Sequence, residues 1–227
     1  SAAPTPSCGR FMDMEELSAK FDGIHGDLAG YHSGMLAEHG DTPGGVGWNG
    51  VEAQVRRFEQ LVKVIDQPGG FSLNDVGSGY GALLDFLVSR YQDVTYAGWD
   101  VSGDMIAAAR ARYADQPNAR FHVAGEPAEA ADYGIASGIF SMRFGRSDAE
   151  WSEYVKAMLD VLDRTSRRGF AFNSLTIYSD AGRMRPELYY ADPCALFDHC
   201  KRHYSRNVAL LHDYDLYDFT ILVRKHA

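Results

Sequence analysis

Apolar positions recur along this chain at two periods, and the change of period marks the elements. Val51, Val55, Phe58, Leu61, Val62 and Ile65 fall on one helical face, which Pro68-Gly69-Gly70 then stops. Beyond that stop, short apolar runs alternate with stretches of helical spacing. Residues 72–76, 94–100, 120–124, 133–140 and 169–175 read as strands, and 80–91, 102–113 and 148–163 as helices, with Ser102 placed to cap the second. Such alternation predicts parallel strands joined by right-handed helical crossovers, an α/β arrangement.

Both ends depart from this rhythm. A helix over 193–204 precedes two strands, 207–214 and 217–224, whose connection at Asp215-Leu216 is too short for a crossover, so they must pair antiparallel. Before Val51 a short helix is expected near 13–20, whereas the glycines of 24–50 predict a cap or loop without long regular structure. The first ten residues read as a leader without the basic and apolar regions of a signal peptide.

Composition narrows the partners. Among 227 residues, 22 Lys and Arg face 31 Asp and Glu, and a formal charge of -9 disfavours nucleic acid or an anionic membrane surface as partner. Cys8, Cys194 and Cys200 show no paired spacing and read as free thiols, which with the lack of a membrane-length apolar run points to the cytoplasm.

The densest chemical signal is Asn74-Asp75-Val76-Gly77-Ser78-Gly79-Tyr80-Gly81. Gly77 and Gly79 supply a tight strand-to-helix turn against which a ligand can lie on bare backbone. Asp100 ends the next strand, about twenty residues on, where a carboxylate can accept both hydroxyls of an adenosine ribose. Gly77, Gly79 and Ala82 also satisfy the pattern of dinucleotide-binding folds, so a nicotinamide-dependent oxidoreductase stays open as an alternative. Asp75 tips the balance: its charge would oppose a diphosphate and favour the ammonium or sulfonium of S-adenosylmethionine.

At these residues the chain resembles the class I S-adenosylmethionine-dependent methyltransferases, from about Phe71 to Arg224. The resemblance implies a Rossmann-like, seven-stranded, mostly parallel sheet with helices on both faces, an antiparallel C-terminal hairpin and an N-terminal helical or loop cap. Residues 1–70 would form leader, cap and lead-in helix, and 71–227 the catalytic core. It also implies that Val101 and Met105 flank the adenine, that Glu126 meets the adenine amino group, and that S-adenosylhomocysteine is the product. Ser78, at a variable place in the motif, and Ser137, toward the end of the fourth strand, join Asp75, Gly77, Gly79 and Asp100 as candidate cofactor contacts.

Acceptor chemistry is less legible. Ala136-Ser137-Gly138-Ile139-Phe140-Ser141-Met142-Arg143 lacks the Asp/Asn-Pro-Pro-aromatic sequence by which some amino-methylating enzymes of nucleic acid and protein hold a planar amine or amide, which argues for another acceptor class; a small molecule methylated on oxygen or nitrogen is expected, with carbon left open. His25 and His32, in the glycine-rich cap, are the candidate general bases. Tyr31 and Trp48 are candidates to close over the site, Arg57 to reach the cofactor carboxylate, and Arg143, Asn173 and Tyr178 to contact the acceptor. His199 and His203 share a helix face, but no metal is expected. A non-catalytic cofactor-binding module is the third reading.

Overall fold

A computed structural model describes residues 14–46, 50–67 and 69–225, with side chains from Phe21 onward; the leader, Cys8 and Trp48 lie outside the described residues. Seven strands form one sheet in the order β3-β2-β1-β4-β5-β7-β6. They are β1 (Phe71–Val76), β2 (Val94–Asp100), β3 (Ala119–Val123), β4 (Ala131–Ala136), β5 (Ser166–Leu175), β6 (Asn207–Leu211) and β7 (Asp218–Arg224). The first five run parallel, and β7 lies antiparallel to both β5 and β6.

Six α-helices accompany the sheet among the described residues: α1 (Met14–His39), α2 (Val51–Leu61), α3 (Ala82–Val88), α4 (Gly103–Arg112), α5 (Asp148–Arg164) and α6 (Pro193–His203). Strand alternation sends Phe170, Phe172, Ile221 and Val223 to a core with α1, α5 and α6. Ala171 and Leu222 point the other way, into a core with α2, α3 and α4. Ser102 caps α4 by accepting from Met105 N, and Ser147 with Glu150 forms a capping box on α5.

Two expectations need correction. Residues 24–39 are not a loop but part of the 26-residue α1. Each of Gly23, Gly26, Gly30 and Gly34 costs roughly 1 kcal/mol against alanine in a helix, but Phe21, Ile24 and Leu28 recur on one face and are buried, and that packing outweighs propensity. The fourth strand stops at Ala136 rather than Phe140 because Gly138, at φ +79°, turns the chain away.

Candidate active site

Chain order reverses between β1 and β4, and in an open parallel sheet the crevice at such a point, beyond the strands' carboxyl ends, takes the ligand. Two small cavities of about 60 and about 40 Å³ fill it and share a wall of His32, Gly77, Asp100 and Ile139. The first is the more polar of the two, with Gln54, Asp75, Ser78, Tyr80 and Ser137 beside apolar residues such as Val46 and Phe58 in its lining. The second is mostly apolar, with Leu28, Val76, Val101 and Met158.

The glycine turn presents few free donors. Gly77 N and Ser78 N both donate to Trp99 O, at 2.7 and 3.1 Å, and Gly79 N donates to Asp100 Oδ2 at 2.9 Å. A diphosphate would find three successive N–H groups already taken and two carboxylates beside it, which disfavours the dinucleotide alternative. Asp100 Oδ1 accepts from Ser102 N at 2.8 Å, so each oxygen of this buried carboxylate holds one backbone donor. A carboxylate has about four acceptor sites, leaving one on each oxygen for a ribose diol. Burial raises the Asp100 pKa, opposed by those N–H groups and by His32.

Asp75, at the carboxyl end of β1, accepts the Tyr96 hydroxyl at 2.6 Å. Burial pushes its pKa up to about 7, with Asp100 adding to the effect and Tyr96 opposing it. A cationic ligand favours the carboxylate and so lowers that pKa on binding. Affinity for S-adenosylmethionine is therefore expected to rise with pH through about 7, by up to roughly ten-fold per unit below it, with release of a proton. Burial lowers the His32 pKa from 6.5, and Asp100 opposes that shift. Asp75→Asn should flatten the profile in calorimetric titrations; an unaltered slope would remove Asp75 from cation recognition.

Two residues of the polar cavity's lining carry buried hydroxyls, Ser78 Oγ and Ser137 Oγ, that have no hydrogen-bond partner among the described residues. His32 reaches the shared wall from α1, which is tied to the cap of α4 by Ser33 Oγ and Ser102 Oγ at 3.2 Å. His25 lies farther along the apolar cavity against Gly125, with its ring edge-on to Tyr154 at 6.1 Å, and burial lowers its pKa.

Other sequence candidates are placed elsewhere. Met105 is fully buried behind the turn, its sulfur 3.9 Å from where a Cβ on Gly79 would sit, and it lines neither cavity. Glu126 is ion-paired with Arg164, while its neighbour Gly125 lines the apolar cavity. Arg57 is bound to Asp218 instead of facing the polar cavity. Tyr31 packs against His32 and Phe144 outside both cavities. Arg143 is held by Asp148 and by Pro186 O. Tyr178 is 65% exposed. Asn173 Oδ1 accepts from Gly138 N at 2.7 Å, which fixes its amide, and its buried Nδ2 has no partner among the described residues.

Gln54, Tyr80, Ile139, Tyr154 and Met158 line the cavities without having been expected. Tyr80 falls within the glycine motif and Ile139 within the segment that follows Ala136, while a different trace marks Gln54. It is a polar residue between Val51 and Phe58 on an otherwise apolar stripe, and it is buried.

A profile of the family described as a methyltransferase domain matches residues 74–165. Rv1506c of Mycobacterium tuberculosis, a methyltransferase by designation only, is 55% identical over 164 residues, which make up 72% of this chain and 99% of that protein. Human N-acetylserotonin methyltransferase in complex with SAM aligns with a TM-score of 0.56 at 15% identity, over 95% of this chain and 61% of that one. The DhpI-SAM-HEP complex gives 0.56 at 12% identity over 94% and 100%. The apo form of mycolic acid cyclopropane synthase CmaA1 gives 0.59 at 16% over 77% and 89%. At such identities the solved structures establish the fold alone.

Proposed function

Because the chain belongs to the class I S-adenosylmethionine-dependent methyltransferases, we propose that it methylates a small-molecule acceptor on oxygen or nitrogen from the twin cavity around Asp100. The observation that carries this reading is the division of the crevice. An apolar cavity suits the adenine, the carboxylate of Asp100 stands at the junction for the ribose, and the cavity holding Asp75 and Gln54 suits the charged tail. Val101 would flank the base, and Ser78 and Ser137 would bring their unpartnered hydroxyls to the ligand. α1 and residues 43–46 cover the crevice, an enclosure that favours a small acceptor over a bulky one.

S-adenosylmethionine supplies an activated methyl group. What the chain adds is alignment and exclusion of water, worth up to roughly 7–11 kcal/mol in well-oriented systems. As the acceptor heteroatom bonds to the methyl carbon, the carbon–sulfur electron pair stays on sulfur and the acceptor's proton must leave. His32 is the favoured base of the two candidates, because burial keeps its ring neutral near pH 7 and it stands at the junction of the cavities. His25 is placed to shape the base-binding cavity. Asn173, fully buried and outside the lining of both cavities, would act by fixing the turn at Gly138 rather than by touching the acceptor.

The test is transfer of labelled methyl from S-adenosylmethionine into a cell extract, separated by size. Label should appear in the small-molecule fraction, and His32→Ala should cut turnover by about 100-fold or more while changing S-adenosylhomocysteine affinity much less. Label only in macromolecules would contradict the acceptor class. Equal losses in turnover and affinity would reduce His32 to a cofactor contact.

A further inference from the structure

We propose that the buried ion pair between Arg57 and Asp218 is a positioning clamp that sets α2, and with it Gln54, against the amino-acid end of the cofactor. This rests on the reading of the polar cavity given above. Arg57 Nη2 lies 2.5 Å from Asp218 Oδ2, with the side chains only 9% and 1% exposed. The same guanidinium donates through Nη1 to Ala53 O at 2.9 Å, the residue next to Gln54. One side chain thus grips both the backbone of the first turn of α2 and the start of β7.

That turn also pairs Glu52 with Arg56 at 2.9 Å. Its N-cap, Gly50, makes no side-chain capping bond. Arg56 adds a looser contact to the same hairpin, 3.7 Å to Asp215. Asp218 is an uncomfortable place for a charge: burial raises its pKa, and Arg57 is the main influence holding it down. Keeping two charges there is a poor way merely to hold a helix that Phe58 and Leu61 already bury against the sheet. The pair does supply direction, which apolar packing does not.

From the clamp, contact runs into the site. Gln54 is buried and lines the polar cavity together with Tyr80, which sits within the glycine motif. A glutamine amide offers both donor and acceptor, matching the carboxylate and ammonium of an amino-acid tail. The adenosyl part lies against Asp100 and the apolar cavity, whose lining includes no residue of α2. Loss of the clamp should therefore weaken recognition of the tail and spare the nucleoside.

S-adenosylhomocysteine and 5′-methylthioadenosine share the adenosyl thioether and differ in that tail. In the variant Arg57→Met with Asp218→Leu, which removes both charges and strands neither, calorimetry should show S-adenosylhomocysteine weakened by about ten-fold or more and methylthioadenosine unchanged within about two-fold. Asp218→Asn, a milder change that keeps an acceptor for Arg57, should show the same split at smaller size if the double variant does not fold. Parallel weakening of both ligands, or weakening of neither, overturns the clamp. A parent protein that binds neither ligand contradicts the cofactor assignment itself, and with it the clamp.

Discussion

Replacing Asp100 with alanine is expected to weaken S-adenosylhomocysteine binding by about 100-fold or more, with the sheet still folded. Two charge-assisted hydrogen bonds to ribose are at stake, each worth roughly 1.5–3 kcal/mol, so their joint loss of about 3 kcal/mol or more sets the lower bound. A second effect adds to the first. The carboxylate also accepts Gly79 N and Ser102 N, and the substitution leaves both buried donors without their acceptor. The turn and the start of α4 should relax, and the melting temperature should fall. Asp100→Asn keeps one oxygen for these donors and should lie between parent and alanine variant. Calorimetry and thermal melts on the three proteins check this; undiminished affinity in Asp100→Ala would show that the ribose lies elsewhere.

Gly77→Ala is expected to remove measurable cofactor binding and to lower stability together. Gly77 has φ +73°, a left-handed conformation that costs an L residue roughly 1–2 kcal/mol. A Cβ there would also stand 2.1 Å from Ile139 Cγ2, so Ile139 must move, and overpacking of this kind costs roughly 1–3 kcal/mol. Ile139 and Gly77 both belong to the wall between the cavities, so the displaced side chain has the ligand's space to enter. Adding Ile139→Ala removes the clash but not the backbone strain, and should restore part of the melting temperature. A Gly77→Ala protein that melts and binds like the parent would contradict the geometry of the turn.

The parts of this site that lie close together in sequence were legible, because their chemistry is local. The acid–glycine motif from Asp75 to Gly81 and the strand-terminal Asp100 carry their own spacing, and Ser102 announces the helix it caps. The antiparallel hairpin followed from the shortness of its connection, although β6 ends at Leu211 and β7 begins at Asp218, leaving a longer turn than the sequence implied.

What was not legible depends on distant pairing. Nothing near Arg57 signals that its partner stands 161 residues away at Asp218, or that Glu126 is taken by Arg164. α1 was hidden for a different reason. Its glycines lower helical propensity, while the burial of Phe21, Ile24 and Leu28 that stabilises it exists only once α5 and the sheet are in place. Tyr154 and Met158, on the inward face of α5, become cavity walls only through the register of that helix.

The most direct test of the central claim is a crystal structure of this chain grown with S-adenosylhomocysteine. The ribose hydroxyls should lie on the two oxygens of Asp100, the base beside Val101 and Met158, and the amino-acid tail beside Gln54 and Asp75. Density that leaves Asp100 without a ribose, or that puts the base in the polar cavity, would contradict the account.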